Sequence, residues 1–326
     1  MSVLPLRRLL LSAFVFVLTA ATPARAEEYP VRPVHVIVPY APGGGADFVA
    51  RTYAQSLSDE FGQAFVVENR GGANGNIGGD YVAKAKPDGY TILLSSVSTL
   101  SANVSLYATM PFDILKDLTP ISVVSSQPNI LVVTLALPVR TIADLIALAK
   151  ARPGQLTYGS AGVGSGPHLS AELFKIVTGV DIVHVPYRGA GPATVDLLAG
   201  NISLMFNNLP PSLPLVAAAK LRAIAVTGPK RAAAAPDVPT MAEAGYPSVE
   251  MTIVNALFAP AGTPPAIIDR LNTAVARIAR TPKVQQSLAV QGVDASSSTP
   301  AELRQMLVND TAKWANVVRR ASIHVE

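Results

Sequence analysis

The chain has 326 residues, 49% of them hydrophobic and 15% charged, with a formal net charge of +4 and no cysteine. That length exceeds what one hydrophobic core usually fills, so two lobes are expected, and the apolar content excludes a disordered chain. Without cysteine there is no disulfide, no thiolate metal site and no cysteine nucleophile.

Residues 1–26 read as an export signal. Arg7 and Arg8 precede an apolar run over residues 9–20, and Ala24-Arg25-Ala26 fits a small-residue cleavage site. The apolar run is short of the ~18–20 residues that span a bilayer. Its removal takes three basic residues and no acidic one, leaving 26 − 3 = 23 basic against 22 acidic. Near neutrality there is no basic footprint for nucleic acid. A periplasmic monomer starting near Glu27 is expected.

Val34, Val36, Ile37 and Val38 form a buried strand pattern that breaks at Pro39 and Pro42 into Gly43, Gly44 and Gly45. Helical spacing then runs over residues 48–61, with a strand at 65–68. Residues 69–79, NRGGANGNIGG, are too rich in Gly and Asn to be regular throughout. A helix over 80–85, a turn at 86–89 and a strand over 90–94, ending at Ser95-Ser96, follow. Strands spaced by helices predict a parallel α/β sheet. Residues 121–135 have strand character interrupted at Gln127-Pro128, where a crossing between lobes is placed.

The second lobe has its own βα rhythm: helix 142–149, strand 156–160, helix 168–178, strand 182–185, helix 192–199 and strands 202–206 and 222–226. Residues 236–247 read as a proline-punctuated loop around a short helix. A strand over 251–258 returns the chain to the first lobe, and helices over 264–280, 282–291 and 300–320 close it, each opening with Pro. The lobes are thus 27–127 with 250–326, and 128–249. Trp314 is read as core packing for the last helix.

Two strand–glycine-loop–helix elements carry the functional argument. The first, Tyr40 to Asp47, holds Gly43, Gly44 and Gly45 and no Lys or Arg. The second, Ser160 to His168, holds Gly162, Val163, Gly164 and Ser165, again without a cation. A helix N-terminus behind each loop offers backbone N–H groups and the positive dipole end to an anion. Neutral donors of this kind suit a carboxylate held reversibly. Ser160 and Ser165 add hydroxyls, and His168 either donates to the anion or serves as a capping or packing histidine. Asp47 is a helix cap or a ligand contact. Ser96, Ser98, Tyr187, Arg188, Asp196 and Asn207 follow strands or open helices where a cleft would lie. Each could read the ligand or face solvent.

Other chemistries fail on spacing. The second loop runs G-x-G-x-G, not G-x-G-x-x-G, and no GK[ST] follows either loop, so nucleotide fingerprints are absent. No serine sits in a G-x-S-x-G elbow. His35, His168, His184 and His324 show no metal-binding spacing, and neither a metal nor a cofactor is expected.

The elements VPYAPGGGAD, VVENRGGANGNIGG, AKPDGYTILL, LTYGSAGVGSGPHLSAELFK, HVPYRGAGPATVDLLAG, VPTMAEAGYP, APAGTPP and KWANVV, in this order, resemble the Bug, or TctC-like, family. These are extracytoplasmic solute receptors of tripartite tricarboxylate transporters. The resemblance implies a two-lobed periplasmic-binding-protein-like (type II) α/β fold with a discontinuous first lobe. It implies a cleft ligand bearing a carboxylate, held by backbone and hydroxyl groups of the two loops through bridging waters. It also implies delivery to a large and a small membrane subunit.

Val254, Ala256 and Val163 stand where the family often has Trp, Gly and a polar residue, which leans towards a less polar ligand. The leading expectation is a receptor that performs no chemistry. The alternatives are an exported α/β hydrolase using Ser160 or Ser165 with His168, and a ligand sensor for a signalling partner.

Overall fold

The computed structural model describes residues 29–323 and 325; the signal read over residues 1–26 lies outside them. In chain order the elements are β1 (Val34–Val38), α1 (Gly45–Phe61), β2 (Phe65–Asn69), α2 (Asn76–Ala83), β3 (Thr91–Ser96), α3 (Val97–Leu106) and β4 (Leu118–Thr134). Then come α4 (Ile142–Ala151), β5 (Thr157–Ser160), α5 (Gly166–Thr178), β6 (Val183–Pro186), α6 (Ala190–Ala199), β7 (Leu204–Asn208), α7 (Leu209–Ala217) and β8 (Leu221–Val226). The chain ends with β9 (Thr252–Pro260), α8 (Pro265–Ile278), α9 (Pro282–Ala289), β10 (Asp294–Ala295) and α10 (Pro300–Arg320).

Parallel pairs β1–β2 and β1–β3 build one sheet, and parallel pairs β5–β6 and β5–β7 build a second. They are joined by β4, whose first part runs antiparallel to β9 and whose last part lies between β7 and β8. The expected interruption at Gln127-Pro128 does not occur: β4 is continuous over 17 residues. Pro128 is tolerated because it pairs only with Thr252, at the handover from one sheet to the other, where a missing N–H breaks no second ladder.

Several boundaries differ from the sequence reading, each for a local reason. Helix α1 starts at Gly45, since first-turn residues need no apolar anchor. Helix α2 starts at Asn76, and its Gly78 and Gly79 are there for close approach. A Cβ on Gly78 would lie 2.7 Å from Pro39 Cβ and 2.9 Å from the Arg70 carbonyl, and one on Gly79 would lie 2.4 Å from the Phe112 ring. Helices α3 and α7 were not anticipated; α3 is hidden by its Ser- and Thr-rich start and α7 by three prolines, two in its first turn. Residues 236–247 form turns, not a short helix.

The cores follow the sheets. One packs β1, β3 and β9 against α1 and α8, and another packs β4, β5 and β7 against α4 and α5. A separate cluster joins Leu106 of α3, Leu169 and Leu173 of α5, and Trp314, Val317 and Val318 of α10. Trp314 is 1% exposed, as its reading as a core residue requires. Helix α10 therefore grips elements attached to both sheets, and each large apolar side chain it buries contributes about 1.5–3 kcal/mol.

Candidate functional site

Helices α1 and α5 each begin directly behind a glycine loop. Gly44 is the extended N-cap of α1, and the first intrahelical bond there is Phe48 N to Gly44 O at 3.0 Å. Ser165 is the N-cap of α5, with Leu169 N to Ser165 O at 2.9 Å. The N–H groups of Gly45, Ala46 and Asp47, and of Gly166 and His168, thus have no acceptor within their helices.

The two helix starts converge on one pair of residues. Gln127 of β4 lies opposite Ile253 of β9. The Gln127 amide nitrogen is 3.6 Å from where a Cβ on Gly45 would stand, and Ile253 Cδ1 is 3.3 Å from the same point on Gly166. Opposed antiparallel residues have Cα atoms ~4.5–5.5 Å apart, so each N-terminus meets one member of a single cross-strand pair where the sheets join. The second loop also meets the other half directly, since a Cβ on Gly164 would fall 2.4 Å from Leu106 Cδ1 and 2.9 Å from Asn74 Nδ2.

The first loop is braced from within. The buried Asp47 carboxylate accepts from Gly43 N (3.0 Å), Asn69 Nδ2 (2.9 Å) and both Arg51 Nε and Nη2 (3.0 Å each). Burial pushes this carboxyl up, but hydrogen bonds from Arg51, Gly43 and Asn69 and the Arg51 charge outweigh it and hold the pKa below the usual range. Both carboxylate oxygens are engaged, so Asp47 shapes the loop. Asn69 Nδ2 also donates to Tyr40 O (3.1 Å), and the Tyr40 hydroxyl lies 3.1 Å from Ser95 Oγ and accepts from Ser96 N at 3.4 Å. Ser96 caps α3, and its Oγ is 3.1 Å from Ser98 Oγ. Tyr40, Ser96 and Ser98 are thereby drawn together beside the loop.

The second loop is likewise self-bonded. Ser160 Oγ accepts from Gly162 N (3.1 Å) and lies 2.7 Å from His184 Nε2. Ser165 Oγ donates to Gly162 O at 2.7 Å, so this hydroxyl hydrogen is aimed into the loop and not outwards. Gly164 N donates to His168 Nδ1 at 3.0 Å. His168 is therefore an acceptor at Nδ1 that holds the loop, which leaves its proton on Nε2. Its ring stacks 4.0 Å from His184, which stacks 4.8 Å from Tyr158. Burial, with Lys175, lowers the His168 pKa to about 4; burial, with His168, lowers that of His184 to about 3. Tyr187 N donates to Ser160 O at 3.2 Å, tying the next strand end to this loop.

Other expected residues are engaged elsewhere. Tyr187 Oη donates to Asp196 Oδ2 at 2.6 Å, and its pKa is pushed up to about 12 by burial and by Asp196. Arg188 is exposed and forms no ion pair among the described residues. Asn207 uses both ends of its amide, donating to Thr194 Oγ1 (3.2 Å) and accepting from Asn208 N (2.8 Å). Val163 packs against the cluster shared by α3, α5 and α10, and Val254 packs against the core containing Leu303 and Leu307. Both side chains are partly buried in these contacts.

Residues the sequence reading passed over stand at the centre. Gln127 is read from the sequence as a strand break and the crossing between lobes, but not as a ligand contact. Asn74 donates to Asn103 Oδ1 (2.8 Å) and presses on Gly164. The available signal was a buried-strand pattern containing Gln127 and Asn129, polar residues where a core strand would carry none.

The buried charged or titratable residues of the described chain include Asp47, His168 and Glu172 but no Lys or Arg, and no cluster of metal-ligating side chains occurs among the described residues. A concavity of about 570 Å³ lies away from the loops, lined by Arg32, His35, Tyr81, Lys84 and others. Its Arg32 and Lys84 are paired with Asp88 and Asp80. No helix among the described residues is long and apolar enough to cross a membrane.

A family model described as the tripartite tricarboxylate transporter family receptor matches residues 49–323. The chain is 42% identical over 315 residues to Protein BugT of Bordetella pertussis, spanning 96% of this chain and 97% of that one. Among solved structures, Rpa4515 of R. palustris with adipate is 40% identical with a TM-score of 0.85, covering 91% of this chain and 100% of the other. MatC of Rhodopseudomonas palustris with bound malate is 31% identical with a TM-score of 0.81, covering 89% and 100%.

Proposed function

The chain belongs to the tripartite tricarboxylate transporter receptor family, known also by its Bug members, and from that premise we propose that it captures a small carboxylate between its two sheets and hands it to a membrane transporter. The proposed lobes are residues 27–127 with 250–326, and residues 128–249, working in the periplasm after removal of residues 1–26. The observation that carries this reading is the meeting of two helix N-termini, Gly45 and Gly166, over the Gln127–Ile253 pair with no buried cation nearby. Aligned N–H dipoles attract a carboxylate, and neutral donors release it more readily than a buried arginine would. Adipate and malate bound to relatives support the same ligand class.

The contact between Ser160 and His184 favours a second reading, a hydrolase, but the geometry argues against it. Ser160 is fully buried, so its Oγ cannot reach a carbonyl carbon. His184, with a pKa lowered to about 3 by burial and by His168, is a weak base at neutral pH.

The test is calorimetric titration of the protein from Glu27 with linear dicarboxylates and their diamides. Saturable binding of acids and not of diamides is expected, with stabilisation of ~2.7 kcal/mol at about 100 times the dissociation constant. Binding of diamides as tight as that of acids would overturn the reading.

A further inference from the structure

Three carboxamide oxygens at the junction of the sheets lack a hydrogen-bond donor: Gln127 Oε1, Asn129 Oδ1 and Asn208 Oδ1. Gln127 is 3% exposed and Asn129 fully buried. Gln127 and Asn129 are two residues apart on β4 and so share a face, and Asn208 lies directly opposite Asn129. The nitrogen ends are placed: Asn129 Nδ2 donates to Ser170 Oγ at 2.8 Å, and Gln127 Nε2 is the group beside Gly45. Buried carboxamide oxygens without partners are costly to a fold and rare. Here Gln127 stands beside the N-terminus of α1 and Asn129 beside Ser170 near the start of α5.

The two sets of groups are complementary. Helix N-termini present donors and fit an anion; the carboxamide oxygens present acceptors and fit N–H or O–H. Resting on the receptor reading above, we infer that the ligand carries a hydrogen-bond donor, an ammonium or a hydroxyl, on the chain that bears its carboxylate, and that Gln127 selects for it. Asn208, half-buried and opposite Asn129, extends the acceptor row. An ammonium needs no buried carboxylate here, since neutral carboxamide oxygens can accept from its N–H groups. A donor-free acid leaves the same oxygens unpaired and is rejected on that account.

The experiment measures dissociation constants for two matched series: succinate, malate and aspartate, and adipate, 2-hydroxyadipate and 2-aminoadipate. The protein is first unfolded and refolded to remove any carried ligand. We expect a donor-bearing member to bind at least ~10-fold tighter than its donor-free parent, and the series member that shows the preference identifies ammonium or hydroxyl. Gln127→Met should bring the ratio within ~3-fold, whatever it does to the parent acid's own affinity. Asn208→Ala, at a half-buried position, should lower the ratio as well and serves if Gln127→Met does not fold. Equal affinities within both series, or a preference that survives both substitutions, overturns this assignment alone. Failure of all six acids to bind a cooperatively melting protein overturns the receptor reading with it.

Discussion

The backbone N–H of Gly164 donates to His168 Nδ1 across 3.0 Å, which fixes that ring as an acceptor at the tip of the second loop. His168 in turn stacks on His184, and His184 meets Ser160 Oγ at 2.7 Å. The loop is thus held by neutral imidazoles packed with Tyr158, which hydrogen-bonds to Glu172, itself paired with Lys175.

This arrangement sets a pH dependence. His168 has a folded pKa of about 4, lowered by burial and by Lys175, so below the unfolded value near 6.5 the unfolded chain binds more protons. Stability should be full above about pH 6.5 and fall by on the order of 3 kcal/mol from His168 as pH drops to its folded pKa. Urea unfolding at neutral pH and near pH 4.5 measures this. His168→Gln, which can still accept from Gly164, should lose roughly 2 kcal/mol less over that interval. An equal loss in both proteins would contradict the assignment.

Gly164 has φ +78, and a Cβ there would meet Leu106 and Asn74; Gly43 has φ +81 but nothing within 4 Å. Both alanine variants carry backbone strain of ~1–2 kcal/mol, but only Gly164→Ala wedges the loop away from α3. Carboxylate affinity should fall at least ~10-fold more for Gly164→Ala than for Gly43→Ala. Equal losses would show that the contact with Leu106 and Asn74 plays no part in binding.

Asp47 braces the first loop through four hydrogen bonds, and its partner Arg51 is more than half exposed. Asp47→Ala leaves Gly43 N without its acceptor and Asn69 Nδ2 with Tyr40 O alone, and should cost about 1–3 kcal/mol of stability together with carboxylate affinity. Arg51→Ala should cost well under half of that, because its charge is largely solvated. Calorimetric melting of both variants decides; a larger loss from Arg51→Ala would mean the ion pair, not the loop bonds, is the brace.

A site with no buried Lys or Arg among the described residues should respond only weakly to salt. Raising ionic strength about tenfold should change the dissociation constant less than ~3-fold. A steep decline in affinity would require a cation at the site, and Arg188 would be the first suspect.

Much of this was legible in the sequence. Val34–Val38 and the two glycine loops gave the strand–loop–helix units because β-branched runs and glycine breaks are local signals. The lack of Lys and Arg in both loops already implied neutral donors. Gln127 was misread because its partner, Ile253, is 126 residues away and no local pattern links them. Gly78 and Gly79 looked like loop residues because glycine lowers helix propensity, and only the packed Pro39 and Phe112 explain them. For His168 the sequence leaves a capping histidine and a ligand donor side by side, and only the fold shows that Gly164, four residues earlier, donates to its Nδ1.

The most direct test is an amide nitrogen–proton correlation spectrum of the labelled protein titrated with a dicarboxylate. The N–H signals of Gly45 and Gly166 should move downfield together, with the same midpoint, as one carboxylate accepts from both helix starts directly or through ordered water. Movement of only one of them, or of neither while binding saturates, would contradict the convergence of α1 and α5 on a single ligand.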